Sequence, residues 1–376
     1  MKVSMKRKLN LLLSVMLILS LISYGAIKIK GENKQYKEEG LTIVTSFYPM
    51  YIAALNIADG IDGVQVINLT ENQTGCVHDY QLTTKDMRTL SGAQVVILNG
   101  GEMEEFMEDV LNQQEGIYMI DSSAGMEFLT GSTHNHFGES YQEGEDHDSH
   151  EETDHDHATG EVDESQLEDD IQEDNQTHLE DNHDHTHAED STEGETSHVH
   201  NHSNLNGHVW LNVERYMKQI QTITDGLCEF DPIHKEMYRE NEKKYLEKLQ
   251  SLKTELDSLK EMATGTEIII FHDSFAYLAE ELGLEVVHAV NTDGETALSA
   301  GEIAEVIEEI KLHDITYLFT EEQYEHTIAD RIEAETDAKV YVMDSLVTGG
   351  INKDSYLNGM KRNIEILKEA FVLEDK

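Results

Sequence analysis

Cysteine is nearly absent from this sequence, which contains only Cys76 and Cys228 among its 376 residues. Two cysteines cannot build a disulfide-rich scaffold, and they are too few for a zinc module made of cysteine ligands. A disulfide between the two stays open as a possibility, because pairing cannot be deduced from sequence.

Basic side chains are also scarce, since 27 Lys and Arg stand against 76 Asp and Glu, which gives a formal net charge of -49. Such an acidic chain is a poor partner for nucleic acid. Between Gly131 and Leu205 there is no Lys or Arg, while 24 acidic residues and 13 of the 20 histidines lie there. This stretch cannot bury a core, so we predict that residues 131–205 form a disordered, acidic, His-rich insert.

The first 27 residues have the pattern of an export signal. Four basic side chains within the first eight residues precede Leu9–Ile22, in which only three residues are polar. A basic flank followed by an apolar run of this length predicts a secretion signal that is cleaved after Gly25. The alternative is an uncleaved anchor extending to Ile27, with about 19 mostly apolar residues. In either case we expect the mature chain to function outside the cytoplasm.

From Leu41 onward, short β-rich runs alternate with helical periodicity. This alternation predicts an α/β fold with two lobes, each containing a mainly parallel sheet flanked by helices. The run His234–Met262 contains no Pro or Gly and repeats Tyr and Leu at helical spacing, which predicts a long rigid helix joining the lobes. The predicted divisions are a signal or anchor (1–27), an N-terminal metal-binding lobe (41–130), the insert (131–205), the end of that lobe with the linking helix (206–262) and a C-terminal lobe (265–376).

Three of the seven histidines outside the insert stand where metal ligands are expected. His78 lies in a loop after a strand, His208 opens the segment HVWL, and His272 directly follows the strand TEIIIF. In open α/β sheets, binding groups gather beyond the carboxyl ends of strands, and Glu321 ends another such strand. Imidazole nitrogens with an oxygen donor suit Zn²⁺ in tetrahedral coordination. We therefore predict a metal site containing the three histidines and this carboxylate.

The segments around these residues resemble those of a known family. The ligand segments are 77–80 (VHDY), 207–212 (GHVWLN) and 271–277 (FHDSFAY), and 44–50 (VTSFYPM) and 318–323 (LFTEEQ) are also similar. Jointly they resemble the zinc-uptake solute-binding proteins of ABC transporters, the ZnuA-like metal-binding cluster A-I family, over about residues 41–130 and 206–372. The resemblance implies two α/β lobes joined by a rigid helix, with the metal held in the cleft by His78, His208 and His272. Glu321 is the best match to the fourth ligand.

Two features of the predicted site stay open in the sequence. Glu322 and Glu325 lie close to Glu321, and a water molecule is a further candidate for the fourth position. The family usually has a proline before the first ligand histidine, where this chain has Cys76 and Val77. Cys76 is therefore either a loop residue or a thiolate ligand.

The first functional hypothesis is an exported, monomeric receptor at the extracellular face of the membrane or in the periplasm. It would bind Zn²⁺ as its transported ligand and deliver it to an ABC permease and its ATPase. A manganese or iron receptor of the same fold would need a carboxylate in place of a histidine, and nickel is a lesser possibility. A surface adhesin or metal buffer is another alternative. A zinc hydrolase is disfavoured, because the sequence contains no His-Glu-x-x-His segment and no identifiable general base.

Overall fold

The computed structural model describes residues 40–70, 77, 80–114, 116–131, 205–290, 298–321 and 326–372. The predicted signal or anchor and nearly all of the predicted insert lie outside these described residues. Within the described ranges, no helix has both the length and the apolar character that crossing a membrane requires.

The first sheet has four parallel strands in the order β2-β1-β3-β4. Its strands are β1 (Leu41–Thr45), β2 (Val64–Asn68), β3 (Val95–Leu98) and β4 (Tyr118–Asp121), and the intervening helices are α1 (Tyr48–Ile57), α2 (Thr84–Ser91) and α3 (Glu105–Gln113). Ile43 and Val44 point to opposite faces of β1, and both are fully buried. A strand buried on both faces explains why the sequence reads as a continuous apolar run.

Local sequence signals explain where the helices of this lobe begin. Pro49 lies in the first turn of α1, where its missing N–H would have no intrahelical partner in any case. At the start of α2, the Thr83 hydroxyl accepts the backbone N–H of Asp86, and the Asp86 carboxylate accepts the backbone N–H of Thr83. These two hydrogen bonds form a capping box.

A two-stranded antiparallel pair stands at the two ends of the insert. It consists of β5 (Leu129–Thr130) and β6 (Leu205–Asn206), with Leu129 opposite Asn206. The Tyr277 hydroxyl joins both strands, because it donates to the Asn206 carbonyl (2.7 Å) and accepts the Leu129 N–H (2.9 Å). Sequence analysis missed this pair, since strands of two residues have no detectable periodicity.

Two consecutive helices, α4 (Val213–Phe230) and α5 (Lys235–Ala263), follow the pair. The sequence predicts an almost wholly helical stretch here, and the structure interrupts it around Pro232, which cannot donate a helical hydrogen bond. Asp231, before the proline, leaves the helical conformation. The 29 residues of α5 give it a length of about 44 Å. The predicted long helix is confirmed.

The second sheet also has four parallel strands, in the order β10-β9-β7-β8. Its strands are β7 (Glu267–Ile270), β8 (Glu285–Ala289), β9 (Tyr317–Glu321) and β10 (Lys339–Met343), with helices α6 (Ala276–Leu282), α7 (Ala300–His313), α8 (His326–Glu335) and α9 (Ser355–Val372). Helix α5 contacts α1 of the first lobe and both α6 and α9 of the second lobe. The predicted α/β class with two parallel sheets and a linking helix is confirmed.

A buried carboxylate joins helices α4, α5 and α6. Glu281 of α6 accepts the backbone N–H of Val213 at 2.7 Å, and its other oxygen lies 3.7 Å from Nζ of Lys253. Burial raises the pKa of Glu281 to about 7, although the Val213 hydrogen bond and the Lys253 charge act in the opposite direction. The folded chain therefore holds a proton at Glu281 that the unfolded chain releases at lower pH.

Glu281 should make stability depend on pH in a defined window. With an ordinary pKa of 4.5 and a folded-state pKa of about 7, stability is lost as the pH rises through that interval. We expect Glu281→Gln to flatten this fall by up to about 3 kcal/mol, measured as the free energy of unfolding by urea between pH 4.5 and 8. The control is Glu285→Gln, which removes an exposed carboxylate from the same lobe. An unchanged slope in Glu281→Gln would contradict the assignment.

Candidate metal centre

Two of the predicted ligand histidines are brought into contact. His208 lies just before a short 3₁₀ turn (Val209–Leu211), and His272 directly follows β7 at the start of another (Asp273–Phe275). Both residues are buried, and their ring centroids are 4.9 Å apart with the planes nearly perpendicular, at 87°. The structure thus joins two histidines that are 64 positions apart in the chain.

Glu321, the predicted carboxylate ligand, lies at the end of β9 beside His272. Its Oε1 is 3.4 Å from Nδ1 of His272 and accepts the Ser274 hydroxyl at 2.5 Å, while its Oε2 accepts the Ser345 hydroxyl at 2.9 Å. Burial alone would raise the pKa of Glu321, but His272, Ser274 and Ser345 together hold it below its ordinary value. The buried carboxylate is therefore ionised at neutral pH.

An asparagine connects the two histidine segments. Asn206 donates through Nδ2 to the carbonyl of Asp273 at 2.8 Å, and its Oδ1 accepts the backbone N–H of His208 at 3.0 Å. The same Oδ1 lies 2.9 Å from Nδ1 of His208. On the other side, Nδ1 of His272 accepts the backbone N–H of Ser274 at 3.1 Å. Both imidazole rings are thus fixed in orientation by hydrogen bonds.

Trp210 anchors the His208 segment to the second lobe. Its ring packs against His208 at a centroid distance of 5.1 Å, and against Phe47 at the same distance. The indole N–H donates to the carbonyl of Ser345 at 2.8 Å, and the Trp210 carbonyl accepts the hydroxyl of Tyr356 at 2.7 Å. Ser345 therefore contacts both Trp210, through its carbonyl, and Glu321, through its hydroxyl.

The loop after β3 holds the same segment from the first lobe. Asn99 is fully buried and donates through Nδ2 to the carbonyl of Gly207 at 2.8 Å, while its Oδ1 accepts Nε2 of Gln219. Glu104 accepts the backbone N–H of Asn99 and of Gly100 and the hydroxyl of Ser46. Burial raises the pKa of Glu104 to about 7, against the lowering effect of these three hydrogen bonds.

Gly207 is required by space rather than by its backbone angles. A Cβ atom placed there would lie 2.4 Å from Cγ of Met103 and 2.7 Å from the carbonyl oxygen of Gly101. Contacts this short force the segment that bears His208 away from the loop after β3. The close approach of these two backbones is therefore part of what places the histidine.

Gly207→Ala should consequently damage both folding and the centre. Overpacking of this kind costs about 1–3 kcal/mol, which we expect as a lower free energy of unfolding in urea. We also expect weaker zinc binding by calorimetry, because His208 is the next residue. Gly301→Ala in α7 is the matched control, since a Cβ there meets nothing closer than 3.7 Å. Equal stability of the two variants would show that the close approach is unimportant.

Several predicted site residues lie outside the described residues. They are Cys76, His78, Glu322 and Glu325. Within the described part of the chain, no group of three or more His, Cys, Asp or Glu side chains has an arrangement that could hold a metal ion. Cys228 is a buried free thiol, and burial raises its pKa.

Sequence analysis missed the residues that hold the predicted ligands. Asn206, Asn99 and Ser345 received no role, because isolated polar residues outside long helices and strands carry no periodic signal. His272 occupies the cap position of the turn that follows β7, and the Asp273 carbonyl accepts the side-chain N–H of Asn206. The one usable signal was the position of Asn206 and Ser274 within two residues of a predicted ligand.

The chain resembles known proteins in sequence and in fold. The family model ZnuA, described as "Zinc-uptake complex component A periplasmic", matches residues 43–370. The "High-affinity zinc uptake system protein ZnuA" of Bacillus subtilis (strain 168) is 26% identical over 347 residues, which cover 90% of this chain and 90% of that protein.

Two solved structures have a similar fold. The Zn(II)-bound ZnuA-like domain of Streptococcus pneumoniae AdcA matches with a TM-score of 0.61 and 22% identity, over 88% of this chain and 99% of that one. The solute-binding protein FpvC of Pseudomonas aeruginosa, solved in complex with Ni²⁺, matches with a TM-score of 0.64 and 20% identity, over 90% and 98% of the two chains. At these identities the structures establish a common fold.

Proposed function

Because the chain belongs to the ZnuA family, the periplasmic component of zinc-uptake complexes, we propose that it is an extracytoplasmic receptor that binds Zn²⁺ with high affinity. The receptor delivers the ion to an ABC permease, whose ATPase drives import. The observation that carries this proposal is the buried contact between His208 and His272 inside a chain that matches the family from residue 43 to residue 370.

The proposed ligands are His78, His208, His272 and Glu321. When two imidazole nitrogens bind one tetrahedral zinc ion at about 2.0–2.1 Å, their ring centroids lie about 5 Å apart. The observed separation of 4.9 Å between His208 and His272 supports their sharing one ion. His78 is assigned by its motif, VHDY, since it lies outside the described residues.

Glu321 is the fourth donor that the described residues favour. Its carboxylate is buried, ionised and adjacent to His272. A carboxylate oxygen can accept a serine hydroxyl and still offer a lone pair to a metal. The negative charge also offsets part of the charge of Zn²⁺ beside two buried imidazoles.

The donor set decides among metals of the same charge. Three imidazoles and one carboxylate suit Zn²⁺, whereas manganese sites prefer more oxygen ligands. Nickel also accepts imidazole, and the similar FpvC structure holds Ni²⁺. We assign zinc as the transported ion because the family description and the B. subtilis relative both name it.

The chain has no enzymatic role in this proposal. A hydrolytic zinc site keeps an open position for water and places a general base beside it. Four protein ligands would leave no such position. A surface adhesin or an extracellular metal buffer would use the same site without a transporter. If zinc import depends on both this chain and a permease, the chain delivers zinc to a transporter and is neither of these.

The proposed main site predicts the effect of removing His272. In a variant that lacks residues 134–202, His272→Ala should weaken zinc binding by at least about 100-fold, because it removes one of few donors. Isothermal titration measures the affinity, and circular dichroism checks that the fold is retained. His313→Ala is the control, because His313 lies on the surface of α7 beside Glu309. Tight binding that survives in His272→Ala would refute the ligand set.

The insert is proposed to collect zinc near the main site. Its imidazoles stand one to three residues apart among carboxylates in segments such as HDHTH, and its net negative charge attracts cations. Its last histidine, His202, stands six residues before His208 in the chain, so metal bound there is held close to a proposed ligand.

Deleting residues 134–202 should abolish several weak zinc sites and preserve one tight site. Native mass spectrometry and titration count the bound ions, and growth should slow only when zinc is scarce. A second variant, in which asparagine replaces the 13 histidines of the insert, keeps the acidic charge and separates the two contributions. The collector role is wrong if both variants bind as many zinc ions as the parent chain.

A further inference from the structure

Asn206 lies between the two histidine segments and is outside the proposed ligand set. It is the second residue of β6 and is 3% exposed. Its Nδ2 donates to the Asp273 carbonyl, and its Oδ1 faces both the backbone N–H and Nδ1 of His208. One amide group thus contacts the segment of each histidine.

The hydrogen bonds fix which end of the amide faces His208. Nδ2 must point to the carbonyl of Asp273, because a carbonyl only accepts, and Oδ1 must point to the backbone N–H of His208, because an N–H only donates. An amide oxygen is itself only an acceptor, so Nδ1 of His208 has to donate to it. The neutral imidazole then carries its proton on Nδ1 and its lone pair on Nε2.

We propose that Asn206 is a positioning residue for metal capture with two separable actions. Its oxygen selects the tautomer of His208 that presents Nε2 to the ion. Its NH₂ group ties His208 to the residue after His272, so that two imidazoles are set relative to each other before the ion arrives. This inference rests on the proposed function, because it requires His208 to be a ligand.

The backbone of Asn206 is held by hydrogen bonds, so its side chain has a fixed position. Its carbonyl accepts the Tyr277 hydroxyl at 2.7 Å, and β6 pairs with β5 across Leu129. Tyr277 belongs to the second lobe, where it lies five residues after His272. The amide is also uncharged, so it orients the imidazole without adding a negative charge that would favour protonation of the ring.

Two substitutions separate the two actions. Asn206→Ala removes both the acceptor for His208 and the donor to Asp273. Asn206→Asp keeps an acceptor for Nδ1 but loses the donor, and it places a carboxylate against the Asp273 carbonyl. We therefore expect Asn206→Ala to lose both the tautomer and the tether, and Asn206→Asp to retain the tautomer alone.

The experiment uses the full chain with Zn²⁺ supplied from a chelator buffer, so that free zinc is low enough to fill the tightest site only. We expect Asn206→Ala to bind zinc about 10- to 100-fold more weakly, and Asn206→Asp to fall between it and the parent. Nitrogen NMR of the labelled His208 ring, in metal-free protein, should show a single Nδ1–H tautomer in the parent and in Asn206→Asp. It should show a mixture in Asn206→Ala.

The control is Asn212→Ala, which removes the cap of α4 that accepts the Arg215 N–H. It should lower the Tm while leaving zinc affinity and the His208 tautomer unchanged. Asn206 has no positioning role if Asn206→Ala keeps the parent affinity and tautomer, or if Asn212→Ala weakens zinc binding equally. His208→Ala in the same titration tests the ligand set itself, and unchanged binding there would overturn both proposals.

Discussion

The segment that carries His208 is held by buried hydrogen bonds from both lobes, and the candidate centre depends on this double attachment. From the first lobe, Asn99 donates to the carbonyl of Gly207. From the second lobe, the carbonyl of Ser345 accepts the indole N–H of Trp210. Each of these groups would cost about 1–3 kcal/mol if it were buried without a partner. The segment therefore cannot slide toward either lobe without breaking several such bonds together.

The sequence predicts the positions of His272 and Glu321, because each lies at the end of a strand. Runs such as TEIIIF mark buried strands, and the residue after a parallel strand lies at the carboxyl edge of its sheet. His272 and Glu321 follow from that rule, and the structure places them 3.4 Å apart at one edge. The two sheets and the long helix are predictable for the same reason, since each rests on a periodic apolar pattern. The assignment of His78 stays a prediction.

The residues that hold the predicted ligands could not be identified from the sequence, because they act over long distances in the chain. The hydrogen bond from Asn206 to Asp273 joins residues that are 67 positions apart in the chain. The bonds from Asn99 to Gly207 and from Trp210 to Ser345 join residues that are 108 and 135 positions apart. The burial of Glu104 could not be predicted for a different reason. It stands in an acidic stretch of sequence that is typical of a solvated helix. In the structure, however, Glu104 is buried at the end of the first sheet and accepts three hydrogen bonds. Charge in the sequence does not reveal whether a carboxylate faces water.

On the proposed assignment, the acidic insert attracts the zinc ion and the buried centre retains it. The two use different kinds of charge. The acidic insert attracts cations through a field that salt screens over about 8 Å at physiological ionic strength. The described part of the centre instead uses the imidazoles of His208 and His272 and the carboxylate of Glu321, all three buried where screening is weak. Binding there depends on the position of nitrogen lone pairs, which for His208 the Asn206 hydrogen bond governs. A change in salt therefore acts mainly on the encounter, while a change in this hydrogen bond acts on how long the ion stays.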